Sequence, residues 1–158
     1  MKIAIFGTGG VGGYFGGRLA QSEQDVTFLA RGKHLNAIRE NGLQIESADG
    51  NFTIHPAKAT DSTESIGAVD LILLATKAWQ LEEAIAQMQP LIGEKTVILP
   101  LLNGMEHMDK LISAFGTQHV IGGLCRISVF ISSPGVIRHV GVKPYIAYGE
   151  WDHSQSER

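Results

Sequence analysis

The sequence predicts an α/β, doubly wound fold with a mostly parallel sheet, an inserted β-hairpin and additional strands at its C-terminal end. Three observations carry this. Lys2–Phe6 is a short apolar run that stops at Gly7, and Gly7-Thr8-Gly9-Gly10-Val11-Gly12 then opens a helical segment ending near Gln21. A second apolar run, Val26–Leu29, completes a βαβ unit. Two later runs, Val69–Ala75 and Val97–Leu102, are apolar on both faces, as parallel strands covered by helices must be.

The glycine segment fits G-x-G-x-x-G, and its place between a strand and a helix gives the spacing a mechanical meaning. One glycine makes the tight turn, one lets the backbone approach a diphosphate, and one lets the helix pack on the strand. Unpaired amides and the positive dipole end of the helix favour the anion. The residues implicated are Gly7, Thr8, Gly9, Gly10, Val11 and Gly12 of a Rossmann-type dinucleotide site. Gly13, Gly16 and Gly17 extend the pattern, each costing about 1 kcal/mol against Ala in a helix. They are read as one helical face lying close on the sheet.

The end of the second strand bears on the cofactor. A site for NAD or FAD places Asp or Glu there to accept from ribose hydroxyls. Here the chain reads Leu29-Ala30-Arg31-Gly32-Lys33. A guanidinium forks onto a 2′-phosphate that a carboxylate would repel, so the reading is NADP(H), with Arg31 as the clamp. Lys33 is a solvated loop cation able to support it.

Further along, His34–Glu40 has a helical look closed by Asn41-Gly42. Leu43–Glu46 and Asn51–His55 alternate apolar with polar around Asp49-Gly50, which predicts the inserted hairpin, ended by Pro56. Asp61–Ala68 reads as a turn or short helix. The strand Val69–Ala75 empties into Thr76-Lys77-Ala78-Trp79-Gln80, before a helix from about Leu81 to Gln89. Ligands bind outside the carboxyl ends of parallel strands, which assigns Lys77 to the crevice. Val97–Leu102 leads to Asn103, with an interruption expected at Pro100 and a helix from about Glu106 to Phe115. Asn103 stands where it could cap that helix or orient a nicotinamide and substrate; the residues leave the two readings level. The last third predicts a parallel strand at Val120–Gly122, a hairpin of Ile127–Ile131 with Val136–Val140, a short strand at Tyr145–Tyr148 and a frayed tail from Trp151.

With 158 residues, 44% of them hydrophobic, the chain has enough material for one core. A formal charge of -3 with no basic stripe argues against nucleic acid and anionic membranes, and no run approaches membrane-spanning length. Met1-Lys2 runs straight into a strand, which argues against a cleavable signal peptide. The single Cys125 permits no internal disulfide, which suits a reducing cytoplasm, and among Ile, Leu and Val it reads as inert core. The six histidines lack metal-ligand spacing, so no metal is expected, and surface or helix-end roles suffice for them. His107 with Asp109 is no triad without a nucleophile. There is no G-x-x-x-x-G-K-[ST] for triphosphate hydrolysis, and a methyltransferase would want an acid where Ala30-Arg31 stand.

Assembled in order, these residues resemble the N-terminal domain of ketopantoate reductase (2-dehydropantoate 2-reductase). The marks are Ile3 to Gly13, Thr76-Lys77-Ala78 with Gln80, and Asn103-Gly104-Met105 after an apolar strand. Ile121-Gly122-Gly123, Ser133-Pro134-Gly135-Val136-Ile137 with His139, and Ile146 to Gly149-Glu150 complete the likeness. It covers nearly the whole chain. The resemblance implies NADPH-dependent reduction of the small-molecule 2-keto acid ketopantoate to pantoate, on the route to pantothenate. It implies that Gly7 to Gly12 hold the diphosphate and Arg31 the 2′-phosphate. Lys77 would contact the nicotinamide side, and Asn103 both cofactor and substrate, which tips the Asn103 reading to function.

It also implies residues 1–150 as the dinucleotide-binding domain and 151–158 as the start of a linker to a helical domain absent from this chain. That domain brings the lysine that protonates the alkoxide, a role not assigned to Lys77. The expectations are therefore cofactor binding with little or no turnover alone, and homo-oligomerisation through the surface left by that domain. The other readings are a reductase of another 2-keto acid and a stand-alone NADP(H)-binding module, redox-sensing through Cys125 or partner-binding.

Overall fold

The computed structural model describes residues 1–152 and 154–156. In chain order its elements are β1 (Lys2–Phe6), α1 (Gly10–Gln21), β2 (Asp25–Leu29), α2 (Gly32–Asn41), β3 (Leu43–Ser47), β4 (Phe52–Ile54), β5 (Lys58–Thr60) and β6 (Leu71–Leu74). Then come α3 (Leu81–Met88), β7 (Val97–Pro100), α4 (His107–Phe115), β8 (Gly122–Arg126), β9 (Val129–Ser133), β10 (Val136–His139) and β11 (Tyr145–Gly149).

Five strands form a wholly parallel sheet in the order β5-β2-β1-β6-β7. The chain winds outward from β1 through β2 to β5, then returns to the other side of β1 with β6, which opens a crevice at the carboxyl ends of the strands. The side-chain period of two divides the core. Ala4, Phe6, Ile72 and Leu74 face Leu81, Met88, Leu111 and Phe115 of α3 and α4. Ile3, Ile5, Phe28 and Leu73 face the other way, where Tyr14, Leu35, Ile38, Ile45 and Ile137 close the second layer.

That second layer contains another sheet. The predicted hairpin forms as β3–β4, and the later one as β9–β10, both antiparallel. Neither joins the main sheet. β10 instead pairs parallel to β3, giving β4-β3-β10-β9. Helix α1 lies between the two sheets, which corrects the reading of its glycines as a single face. A Cβ on Gly16 would meet Ile5 and Phe28 of the main sheet, whereas on Gly13 it would meet Ile137, and on Gly17 Ile45. A Cβ on Gly10 would meet the backbone of Val129 and Phe130 in β9.

Three further corrections concern strands. β5 was not foreseen, because a three-residue Lys-Ala-Thr edge strand carries no apolar alternation. The parallel strand expected at Val120–Gly122 reduces to a single bridge between Ile98 and Val120; the strand proper starts at Gly122 and pairs antiparallel with β11. The chain crosses β7 closely there, and a Cβ on Gly123 would collide with the Pro100 carbonyl oxygen. Pro100 interrupts nothing. Val97 N–H donates to Asp70 O and Leu101 N–H to Leu74 O, so the missing donor at Pro100 faces the outer edge of the sheet.

Of the tail expected to fray from Trp151, Trp151 and Asp152 form a turn whose carboxylate accepts from Ser154 N–H, while residues 153, 157 and 158 lie outside the described residues.

A Cβ on Gly12 would run into the Gly7 carbonyl oxygen and crowd Ile5 at 3.0 Å. Gly12→Ala is expected to lose about 1 to 3 kcal/mol of stability in urea unfolding, as overpacking does, despite the roughly 1 kcal/mol that Ala gains over Gly in a helix. An unchanged or raised midpoint would show that the turn yields.

Candidate functional site

The site begins where β1 ends. Gly7 takes φ +97°, and a Cβ there would stand 3.0 Å from the carbonyl carbon and oxygen of Ala75, so the turn passes directly over the end of β6. Thr8 is buried, and both its N–H (3.0 Å) and its hydroxyl (2.8 Å) donate to the Leu29 carbonyl. The turn is thereby fastened to β2, and the Thr8 side chain serves that anchor. Gly9 caps α1, and a Cβ there would meet nothing within 4 Å. The helical ladder starts with Gly13 N–H to Gly9 O at 2.8 Å, leaving the amides of Gly10, Val11 and Gly12 outside it.

The three fingerprint glycines thus divide the work: Gly7 turns, Gly12 packs, and Gly9 alone keeps an open approach. In front of Gly9 lies a crevice of about 290 Å³. Gly7, Thr8 and Gly9 line its floor, Leu29, Ala30, Arg31 and His34 one wall, and Thr76, Lys77, Glu83 and Gln87 the other. Gly10, Val11 and Gly12 stand behind the floor as the first turn of α1.

Arg31 lies two residues past β2, in the cap position of α2, and the neighbouring positions Leu29, Ala30 and Gly32 carry no acid. The Arg31 side chain reaches across to α3, where Nη1 and Nη2 each donate to Glu83 Oε1 at 3.2 Å and Nη2 donates to Gln87 Oε1 at 2.7 Å. Lys77 follows β6, exposed, with its N–H donating to Gln80 Oε1 at 3.3 Å. Asn103 is exposed in the loop after β7, outside the crevice lining. It does not cap α4, which starts four residues later at His107 with Glu106 in the cap position.

Two buried polar atoms of the crevice walls have no hydrogen-bond partner, Thr76 Oγ1 and His34 Nε2. His34 Nδ1 accepts from Gly135 N–H at 3.0 Å, so the neutral ring carries its proton on Nε2. An open glycine backbone, two orphaned polar atoms and a guanidinium at one end suit a dinucleotide, whose phosphates and ribose hydroxyls can satisfy both donors and acceptors.

Beyond the predicted residues, His34, Asp61, Thr76, Gln80, Glu83 and Gln87 also line the crevice. Three of these carried a signal: Thr76 and Gln80 flank Lys77 after the β6 run, and His34 lies three residues beyond Arg31 on the first turn of α2. The surface or helix-end roles assigned to the histidines fail at His139, which is buried within β10, whereas His107, also buried, does stand at the start of α4. His139 accepts at Nδ1 from the Ser47 hydroxyl (2.8 Å) and donates from Nε2 to Val142 O (2.9 Å), with Asp49 Oδ2 4.0 Å from Nδ1. The trio looks like a triad, yet both ring nitrogens are engaged, Nδ1 in tying β10 to β3 and Nε2 in holding the loop after β10, away from the crevice. No group of three or more His, Cys, Asp or Glu among the described residues is placed to hold a metal ion.

Burial pushes both His107 and His34 below the ordinary 6.5; at His34 the Thr8 backbone is near enough to oppose this in part, though outside hydrogen-bond geometry with Nε2. The unfolded state therefore binds these protons more readily. Their contribution to stability is complete above pH 6.5 and is lost as pH falls from there through the lower folded values. Thermal midpoints between pH 7.5 and 5 are expected to fall less steeply in His107→Leu than in the wild type; parallel profiles would refute this.

A family model described as ketopantoate reductase PanE/ApbA matches residues 3–153. An uncharacterized oxidoreductase, YkpB, of Bacillus subtilis is 39% identical over the whole chain, which covers 52% of that relative. A 2-dehydropantoate 2-reductase of Mesorhizobium japonicum is 35% identical, again over the whole chain and 54% of its own length. The chain spans about half the length of the curated relatives it matches. Among solved structures, the 2-dehydropantoate 2-reductase of Geobacter metallireducens superposes with a TM-score of 0.93 at 35% identity, over 99% of this chain and 51% of that one. D-mandelate dehydrogenase in a ternary structure with NADH and anilino(oxo)acetate gives 0.85 at 29% identity, over 97% of this chain and 50% of its own. With the family match running from residue 3 to residue 153, this chain belongs to the ketopantoate reductase family of oxidoreductases.

Proposed function

We propose that this chain is the NADP(H)-binding part of a 2-dehydropantoate 2-reductase, with residues 1–150 forming the dinucleotide-binding domain. The observation that carries the reading is Arg31, a guanidinium at the end of β2 with neutral Leu29 and Ala30 before it and the open Gly9 backbone within the same crevice. In this reading the first-turn amides of Gly10, Val11 and Gly12 hold the diphosphate, and Arg31 holds the 2′-phosphate. Lys77 and Asn103, at the carboxyl ends of β6 and β7, orient the nicotinamide end and the keto acid. The bound nicotinamide supplies the hydride that reduces the keto carbon.

Most substrate contacts and the proton donor then belong to the rest of the whole enzyme, so the 158-residue chain binds cofactor but turns over little. A cytoplasmic setting is part of the same reading. A redox-sensing role for Cys125 is less well supported, because burial pushes its thiol above the ordinary 9.0 and keeps it protonated.

A second reading, a reductase using NADH on an aryl-substituted 2-keto acid, draws support from the likeness to D-mandelate dehydrogenase. Assay of the whole enzyme with ketopantoate and with such an acid discriminates the substrates.

For the cofactor, the wild type should bind NADPH more tightly than NADH in fluorescence titration, and Arg31→Ala should remove about 1.5 to 3 kcal/mol of that preference. Equal wild-type affinities would overturn the clamp. Gly9→Val should weaken both cofactors more than tenfold, its side chain meeting ligand and little of the protein, at a cost of about 1 kcal/mol in stability for a poorer helix cap; unaltered binding would place the diphosphate elsewhere.

A further inference from the structure

The guanidinium read as a phosphate clamp is already engaged. Glu83 and Gln87 lie one turn apart on α3, and Gln87 Nε2 donates to Glu83 Oε1 at 2.8 Å, so the two side chains form one acceptor plate opposite Arg31. Arg31 commits three of its five N–H donors to it. The neighbouring Glu82 is turned outward to Lys110 at 3.0 Å, leaving Glu83 as the carboxylate of α3 in the crevice wall.

We propose that Glu83 sets cofactor discrimination by competing with the 2′-phosphate for Arg31. The inference rests on Arg31 being the clamp.

Glu83 exerts two opposed effects. It holds Arg31 stretched across the crevice, and it puts a negative charge where a dianion must arrive. The pair is more than half exposed on both sides, at 59% and 56%, so its holding power is small. Gln87, at the shorter distance of 2.7 Å, can hold the guanidinium without a charge. Solvent screens both effects alike, but Gln87 duplicates the holding and nothing duplicates the charge, so repulsion is the net effect of Glu83: NADP(H) binds by drawing Arg31 from Glu83, and the residual carboxylate weakens the complex. NAD(H) carries a hydroxyl at that position and leaves the pair intact. Glu83 thus supplies from α3 an acid that the end of β2 lacks, and narrows the gap between the two cofactors.

The test is titration of the wild type, Glu83→Gln, Gln87→Glu and Arg31→Ala with NADPH and NADH. Glu83→Gln is expected to tighten NADPH by about fivefold and to move NADH less than twofold, the scale of an exposed charge pair. Gln87→Glu, which adds a second carboxylate to the plate, should weaken NADPH by a similar factor. Equal shifts for both cofactors, no shift, or a lower NADPH preference in Glu83→Gln would overturn the proposal, the last by making Glu83 a holder. A wild-type preference abolished by Arg31→Ala but untouched by Glu83→Gln would sink this inference alone. Absence of any preference in the wild type would sink the clamp, and the inference with it.

Discussion

The structure depends on how thin α1 is. The helix lies between a five-stranded parallel sheet and a four-stranded mixed one, and neither sheet could approach it if its side chains were of ordinary size. Glycine in a helix is costly, at about 1 kcal/mol each against Ala. Here the cost is offset by the burial of Ile5, Phe28, Ile45 and Ile137 directly on the helix backbone. The same spacing then serves the ligand. Gly12 cannot carry a Cβ because Gly7 lies behind it, while Gly9 has free space in front. Packing and binding therefore share one motif, and a residue can be a glycine for either reason.

The second sheet follows from that constraint. Two hairpins far apart in the chain meet as β3 and β10, closing over the open side of α1. Their junction reaches the crevice through the Gly135 N–H that fixes the tautomer of His34. The buried Ser47–His139 contact fastens the same pair of strands, so a constellation that could pass for hydrolytic machinery is a structural clip. At the other end of the chain, Gly123 lies against Pro100, and β8 pairs with β11 as a separate antiparallel ribbon.

Chemically, the crevice combines backbone with two cations, Arg31 and Lys77, and two carboxylates, Asp61 and Glu83. Its floor offers amides, its walls leave Thr76 Oγ1 and His34 Nε2 without partners, and Arg31 is opposed by Glu83. Such a site is polar but nearly charge-compensated before any ligand arrives. What it binds is decided by how an incoming group redistributes those contacts.

Local order carried much of this into the sequence. β1, its glycine turn, α1 and β2 were legible because they form one contiguous unit whose hydrogen bonds lie close along the chain, and β6 and β7 because their two-sided apolar runs report burial directly. Arg31 and Lys77 were legible as residues at strand ends. β5 and the parallel partner of β3 were not, since a three-residue strand has no period and a pairing across some 90 residues leaves no local mark. The burial of His107 and His139 likewise depends on neighbours from distant segments. So the sequence alone determined the strand–turn–helix unit, its place at the head of a parallel sheet and the missing acid after β2, all of which follow from periodicity and backbone sterics. Only the tertiary structure decided that α1 is covered on two sides and that Glu83 faces Arg31, because those contacts exist only once helices and strands from separate stretches are brought within a few ångströms of each other.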